Sequence, residues 1–139
     1  MTIKLNLIEI PELNLPASDS GKIKALQVEN KSPALEALLT WKREAPIDYK
    51  KILKVMKLLA GRGRVTDEKH VKKTAKPKQH GDVYEMRAHR GKARLFFFYD
   101  TIDESIVICT NAFDKGKGDQ NAAFERCGKF KTLYENNFQ

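Results

Sequence analysis

Two arginines, Arg87 and Arg94, flank a short turn. Each belongs to a segment with strand-like patterning, and residues 88–91 between them are typical of a turn. Antiparallel pairing across this turn could bring both guanidinium groups onto one face of a sheet. Each guanidinium offers a fork of N–H donors, so the pair could grip a phosphodiester. From the residues alone, an ion pair with Glu85 or Asp100 explains either arginine equally well.

The turn also carries a histidine and two further cations, Arg90 and Lys92. Cleavage of RNA by its own 2′-oxygen needs a group that removes the 2′ proton, charge stabilisation at the phosphate and a proton for the leaving 5′-oxygen. His89 is the best histidine candidate for proton transfer, because an unperturbed imidazole titrates near neutral pH. The competing interpretation is an exposed turn histidine without a role.

This chemistry does not require a metal ion when cationic side chains stabilise the phosphate. The sequence has no cluster of His, Cys, Asp and Glu at metal-ligand spacing. Its two cysteines, Cys109 and Cys127, lack the C-x-x-C spacing of a zinc site and are too few for a disulfide scaffold. We therefore expect no cofactor, and we expect both thiols to be buried as small hydrophobes.

Positive charge is concentrated in the middle of the chain. The formal net charge is +8, and residues 42–96 hold 17 Lys and Arg against 6 Asp and Glu, whereas the segments on either side are slightly acidic. Such a field favours a polyanionic partner, with nucleic acid first and an acidic protein or membrane surface as alternatives. A solvated lysine-rich helix face explains the charge equally well.

Residues 61–81 are polar and basic, and the sequence predicts a loop there. Its lysines, Lys72 and Lys73 among them, are candidates for phosphate contacts. A solvated connector is the alternative.

The apolar periodicity predicts an α+β domain in which a helical hairpin packs on a small antiparallel sheet. The predicted elements are a strand within residues 3–10, a short strand that residues 23–28 could form, a helix from Ser32–Pro33, a second helix from about Pro46 to residue 60 with Gly61 as its stop, strands at 83–88, 93–99 and 105–112, and a last helix capped by Asp119.

Each helix has a predicted apolar face. The faces are Leu35, Leu38 and Leu39 in the first helix, Ile52, Val55, Met56 and Leu59 in the second, and Phe124, Cys127, Lys131 and Tyr134 in the last. With 139 residues, 41% of them apolar, we expect one domain, in which residues 1–31 form the first strand and an elaboration. No apolar run suits a membrane span and the first residues do not resemble a signal peptide, so we expect a cytoplasmic protein.

Two motifs carry a family resemblance. The sequence VYEMR at residues 83–87, followed after a turn by ARLFFFY at 93–99, is similar to a pattern of the RelE/ParE toxin superfamily. Residues 111–117 resemble the lysine-containing loop after that family's last strand. The resemblance covers about residues 32–126 and is strongest with the HigB-like branch, which includes phage-derived Gp49-like proteins. It implies a RelE-like fold.

The resemblance also implies site residues. Arg87 matches a basic position in the active-site cleft and Arg94 matches the arginine that contacts the phosphate, while Lys115 and Lys117 match basic residues on a loop over the cleft. With His89 these form the predicted catalytic set, and the predicted RNA-binding set is Lys92, Arg90, Lys72, Lys73 and Tyr84. For Tyr84, packing in the core is the alternative.

The sequence departs from the family at the acid–base position. Superfamily members often have a tyrosine or histidine near the end of the chain. Here Phe124 stands where a hydroxyl would be expected, and the only tyrosine of the last helix is Tyr134. The residue that fills this role is therefore left open.

The resemblance implies the toxin of a type II toxin–antitoxin system, which cuts mRNA on the ribosome and is neutralised by a small helix-turn-helix antitoxin. A RelE-like module that binds nucleic acid or protein without cleavage is the first alternative. A ParE-like gyrase inhibitor is the second, although the paired arginines argue against it.

Overall fold

The computed structural model describes residues 3–62, 69–73 and 82–138. Its elements are β1 (Leu5–Ile8), β2 (Ile23–Val28), α1 (Pro33–Glu44), α2 (Pro46–Arg62), β3 (Val71–Lys73), β4 (Tyr84–Arg87), β5 (Ala93–Tyr99), β6 (Val107–Asp114) and α3 (Gln120–Phe138). Within these ranges, none of the helices combines the length and apolar character needed to cross a membrane.

The strands form one six-stranded sheet in the order β1-β2-β6-β5-β4-β3. Strand β2 pairs with β6 in parallel, and all other neighbours are antiparallel. This arrangement confirms the α+β class and agrees with a RelE-like fold. The sheet is larger than predicted and not wholly antiparallel, because the N-terminal hairpin of β1 and β2 adds to the edge of β6.

The helical hairpin begins as its sequence predicts. Ser32 is the N-cap of α1, its hydroxyl accepting a hydrogen bond from the backbone N–H of Leu35 at 3.4 Å, and Pro33 follows as the first helical residue. The predicted apolar face of α2 is fully buried. In α1 the prediction holds for Leu38 but is wrong for Leu39, which is 62% exposed.

Gly61 does not stop α2, which continues to Arg62. A glycine inside a helix costs only about 1 kcal/mol relative to alanine, and the buried residues Leu59 and Ala60 hold the last turn against the sheet.

The predicted loop at 61–81 is wrong in its centre, where Val71–Lys73 form an edge strand paired with β4. Val71 is buried and thereby fixes this short strand to the core. Residues 63–68 and 74–81 of the predicted loop lie outside the described residues.

Every residue of β5 is buried, because helices cover both faces of the sheet. Leu95, Phe97 and Tyr99 pack towards the helical hairpin. Phe96 and Phe98 pack towards α3, and the apolar face predicted for α3 is buried there. A site that contacts another molecule must therefore lie at an end of the sheet and not on its centre.

The start of α3 and both cysteines are also as predicted. The carboxylate of Asp119 accepts a hydrogen bond from the backbone N–H of Asn121 at 2.9 Å, which caps the helix. Both thiols are buried, and burial raises the pKa of Cys109 above its usual range and that of Cys127 to about 12. Both therefore remain protonated at neutral pH.

Candidate functional site

Arg87 and Arg94 are direct cross-strand partners in the ladder between β4 and β5. Directly opposed residues of an antiparallel pair lie on the same face of the sheet. The predicted juxtaposition of the two guanidinium groups is therefore confirmed. Both lie on the α3 side of the sheet, at the end of β4 and the start of β5.

A buried carboxylate lies between the two arginines. Glu85 is 0% exposed, and its Oε1 is 3.4 Å from Arg87 Nε and 4.0 Å from Arg94 Nε. The alternative of an ion pair with Glu85 thus holds for both arginines. Asp100 lies beyond the opposite end of β5, where its carboxylate accepts a hydrogen bond from the backbone N–H of Ile102.

The two arginines differ in exposure. The side chain of Arg94 is only 6% exposed, whereas that of Arg87 is 27% exposed. Arg94 Nη1 donates to the carbonyl oxygens of Gly91 at 3.0 Å and Ala93 at 2.9 Å. Burial, and next the charge of Arg87, lowers the pKa of Arg94, which remains a cation because an arginine starts so far above neutrality. Arg94 therefore braces the turn, and Arg87 offers more surface to a ligand.

Helix α2 holds the turn between β4 and β5. Asp48 Oδ2 accepts hydrogen bonds from the backbone N–H groups of Lys92 at 2.8 Å and Ala93 at 3.0 Å. From the next turn of the helix, Lys51 Nζ donates to the carbonyl oxygen of His89 at 2.7 Å. The basic turn is thus fixed from both sides, by the helix and by Arg94.

A cleft of about 510 Å³ opens beside this turn. The described residues that line it are Lys69, Arg87, Ala88, His89, Arg90, Gly91, Arg94 and Lys115. None of these is acidic, and five carry a full positive charge. An anion that enters the cleft would meet cations from three separate segments of the chain.

His89 is exposed at the edge of the cleft. Desolvation, and then the positive charges of Arg90 and Lys69, lowers the pKa of His89 from its ordinary value. The neutral imidazole, which can accept a proton, is therefore the favoured form at neutral pH.

Lys115 enters the cleft from the loop after β6. Its backbone N–H donates to the carbonyl oxygen of Lys92 at 2.8 Å, so the loop is attached to the turn. The preceding residue, Asp114, accepts a hydrogen bond from Trp41 Nε1 at 2.9 Å and so ties the loop to α1 as well. Lys115 is thus held at the cleft by two independent contacts.

The structure does not bring every predicted residue to the cleft. Lys117 and Lys92 are exposed nearby but do not line it. Lys72 is the strand partner of Glu85, and so lies on the face of the arginines without lining the cleft. Lys73 pairs with Asp82 at 3.1 Å.

Tyr84 lies on the opposite face of the sheet from Arg87, because it alternates with Glu85 along β4. Its ring stacks on Phe97 at 5.5 Å and meets Tyr99 edge-on at 5.2 Å. These contacts agree with the alternative interpretation of Tyr84, in which its ring packs in the core.

Three contributors to the site are absent from the predicted residues: Asp48, Lys51 and Gln120. Lys69 belongs to the basic stretch 61–81, whose lysines the sequence predicts as candidates for phosphate contacts. The sequence gives no signal for Asp48, because acidic residues are common in the first turn of any helix, where they interact favourably with the helix dipole. Gln120 gave none either, since polar residues are common at helix starts.

A comparison with protein families identifies the family of this chain. No curated protein and no solved structure matches the chain. The model of the family described as phage-derived Gp49-like protein matches residues 37–126, which include most of α1, all of α2, the paired arginines and the loop of Lys115. Because this match spans well over half of the chain, the protein belongs to the family of phage-derived Gp49-like proteins.

Proposed function

We propose that this protein is the toxin of a type II toxin–antitoxin system and cleaves mRNA on the ribosome without a metal ion. The observation that carries the proposal is the cleft, in which the directly paired Arg87 and Arg94 lie among further cations and no acidic residue lines the described wall. Membership of the Gp49-like family supports a toxin-like role.

In the proposed reaction, the 2′-oxygen attacks the adjacent phosphorus and the bond from phosphorus to the 5′-oxygen breaks. The products are a 2′,3′-cyclic phosphate and a free 5′-hydroxyl. Arg87 and Lys115 stabilise the negative charge that builds up on the phosphate oxygens. Neutral His89 accepts the 2′ proton, and a cation of the cleft, for which we propose Lys115, donates a proton to the leaving oxygen.

A row of lysines on α2 supports an extended polyanionic substrate. Lys50, Lys54 and Lys57 are exposed and follow one another at helical spacing, and Lys51 of the same helix bonds to the turn beside the cleft. The positive surface thus extends beyond the site of reaction. An RNA strand bound in the cleft could continue along it.

The proposal includes two partners and a location. An mRNA in the ribosomal decoding site is the substrate, which places the protein in the cytoplasm. A cognate antitoxin, which we propose to be a helix-turn-helix protein, would neutralise the toxin by covering or distorting the cleft. Acidic side chains on that partner would complement the cleft's charge.

Expression in cells without an antitoxin tests the proposal. The wild type should stop growth and produce new 5′ ends within translated mRNAs, and Arg87→Ala should abolish both effects. Lys129→Ala is the matched control, because Lys129 is an exposed cation on α3 away from the cleft. A wild-type protein that leaves growth and mRNA intact would refute the toxin function.

Binding without cleavage is the second candidate, and the last helix favours it. The ring of Phe124 packs edge-on against Phe96 at 4.9 Å, and the buried hydroxyl of Tyr134 lies 3.5 Å from Asp100 Oδ2. Neither residue lines the cleft. Salt-dependent RNA binding with no cleavage products would support this candidate.

A further inference from the structure

We propose that Glu85 is a positioning residue that aligns Arg87 and Arg94 for phosphate binding, and that Gln120 holds Glu85 in place. This inference rests on the proposed function. Glu85 does not line the cleft and is fully buried, so it acts through the arginines and does not touch the substrate.

The contacts of Glu85 divide between its two oxygens. Oε1 faces both arginines as an ion-pair partner and accepts no hydrogen bond from the described residues, and the closest approach in each ion pair is at Nε. Oε2 accepts a hydrogen bond of 2.6 Å from Gln120 Nε2. One carboxylate thus connects β4, β5 and the first residue of α3.

Stability of the core alone does not explain a buried carboxylate at this position. An ion pair removed from water gains little stability over apolar packing of the same volume, because desolvation opposes the attraction. Neighbouring positions on the same face are apolar: Val83 lies directly before β4, and Phe96 of β5 is the strand partner of Glu85. A carboxylate at position 85 therefore calls for a reason beyond stability.

The two arginines supply that reason. Cross-strand partners of like charge repel each other and would separate their guanidinium groups. The carboxylate offsets this repulsion and attracts both groups to one point, which fixes their spacing before a phosphate arrives. A preorganised pair binds the transition state better than two mobile side chains do.

Gln120 extends the alignment to the other side of the cleft. It is the first residue of α3, which follows directly on the loop that carries Lys115. Its hydrogen bond therefore fixes the end of this loop relative to the arginines. We expect the substrate's phosphate to meet Arg87 and Lys115 at a spacing that the pair of Glu85 and Gln120 maintains.

The substitution Glu85→Gln separates positioning from charge. It preserves the size of the side chain and removes one negative charge beside the cleft. If Glu85 only reduced the positive field, Glu85→Gln would bind an anionic RNA more tightly and cleave it at least as fast. Positioning predicts that the single-turnover cleavage rate falls about tenfold or more while the affinity for RNA stays equal or rises.

The experiment uses purified ribosomes that carry a short mRNA in the decoding site, together with the full-length protein, and Glu36→Gln is the control. Glu36 is exposed on α1, so this variant removes the same charge elsewhere. Gln120→Ala, which leaves both charges of each ion pair in place, should give a smaller rate loss in the same direction. Wild-type cleavage rates in both Glu85→Gln and Gln120→Ala would overturn the proposal, and the second variant decides if the first does not fold.

A second readout does not depend on cleavage. In the wild type, the Nε–H protons of Arg87 and Arg94 should give sharp NMR signals that exchange slowly with solvent. Both should broaden or exchange faster in Glu85→Gln and stay unchanged in Glu36→Gln. Ordered signals in Glu85→Gln would refute positioning even if the enzyme is active, whereas a wild type that orders its arginines but cuts no RNA would refute only the proposed function.

Discussion

The carboxylate of Asp48 occupies the space beside Gly91 that any larger residue would need. A Cβ atom built on Gly91 would lie 2.7 Å from Asp48 Cγ, closer than real side-chain contacts allow. The same carboxylate accepts both backbone hydrogen bonds that attach the turn to α2. The contact between helix and turn, and with it the placement of His89 and Arg90, therefore requires glycine at this position.

The first prediction concerns this contact. Gly91→Ala should destabilise the protein by about 1–3 kcal/mol, because the turn must move away from Asp48 and lose its hydrogen bonds. Cleavage should fall with it, since the turn lines the cleft. Denaturant unfolding measures the first effect and a single-turnover RNA assay the second.

A double-mutant cycle provides the control. Asp48→Ala alone should also destabilise the protein, but it frees the space beside position 91. Gly91→Ala should therefore cost less in the Asp48→Ala background than in the wild type. Equal costs in the two backgrounds would show that the steric contact does not govern the turn.

The second prediction distinguishes the paired arginines. Arg94→Ala should cost about 2–4 kcal/mol of stability, because it breaks a buried ion pair and removes the side-chain donor to the carbonyl oxygens of Gly91 and Ala93. Arg87→Ala should cost about 1 kcal/mol or less, in keeping with its greater exposure. Urea unfolding of both variants makes the comparison.

Arg87→Ala should reduce the cleavage rate strongly although it reduces the stability of the protein only slightly. Loss of a phosphate-binding guanidinium should reduce cleavage about 100-fold while the Arg87→Ala protein stays folded. A variant that is as active as the wild type would exclude Arg87 from the phosphate site. A larger stability loss for Arg87→Ala than for Arg94→Ala would contradict the assigned roles.

The third prediction concerns pH. If neutral His89 is the base, cleavage should rise with pH through the pKa of His89 and then level off. The rise should lie below the ordinary imidazole value of 6.5, since desolvation and the surrounding cations lower this pKa. The rate of the wild type, measured against pH, should thus stay near its maximum at pH 7, and His89→Gln should lose the acid limb together with most of the activity.

The contribution of His89 to folding stability should also rise with pH. Because the pKa of His89 is lower in the folded state, the unfolded chain binds more protons between the two pKa values, and stability therefore falls as pH drops through about 6.5. This contribution should be absent in His89→Gln. An acid limb that is retained in His89→Gln would assign the titration to another group.

The sequence predicts the strands and the turn that position the cleft better than it predicts the contacts that hold the cleft residues in place. Alternating patterns and the four residues 89–92 left between the predicted strands 83–88 and 93–99 suffice to pair Arg87 with Arg94, because strand register follows directly from a short turn. The capping residues Ser32 and Asp119 are likewise local signals. These features need no knowledge of distant contacts.

The remaining parts depend on contacts between distant segments. Asp48 meets Lys92 across 44 positions of the chain, and Gln120 meets Glu85 across 35. No local sequence pattern encodes such pairings, because Asp48 and Gln120 are polar residues that would be equally common at positions exposed to water. Strand β3 was missed for a similar reason: three residues with one buried apolar side chain form a strand only when β4 provides the partner.

The last prediction separates two lysines that the sequence alone treats alike. Lys115 and Lys117 lie two residues apart in one loop, but only Lys115 lines the cleft. Its backbone bonds to Lys92, and the adjacent Asp114 is held by Trp41. Lys115→Ala should therefore reduce the single-turnover cleavage rate about 10- to 100-fold, as expected for the loss of a group that stabilises the transition state.

Lys117→Ala is the matched control, because it removes the same charge from the same loop. It should change cleavage by no more than about threefold, through the loss of one unit of long-range attraction. Each variant removes one positive charge, so both should lose about the same RNA affinity. Their cleavage rates should nevertheless differ strongly, because only Lys115 lines the cleft. An equal or larger rate loss in Lys117→Ala would mean that the loop changes its conformation when RNA binds, and that the cleft seen without RNA is not the one in which the reaction occurs.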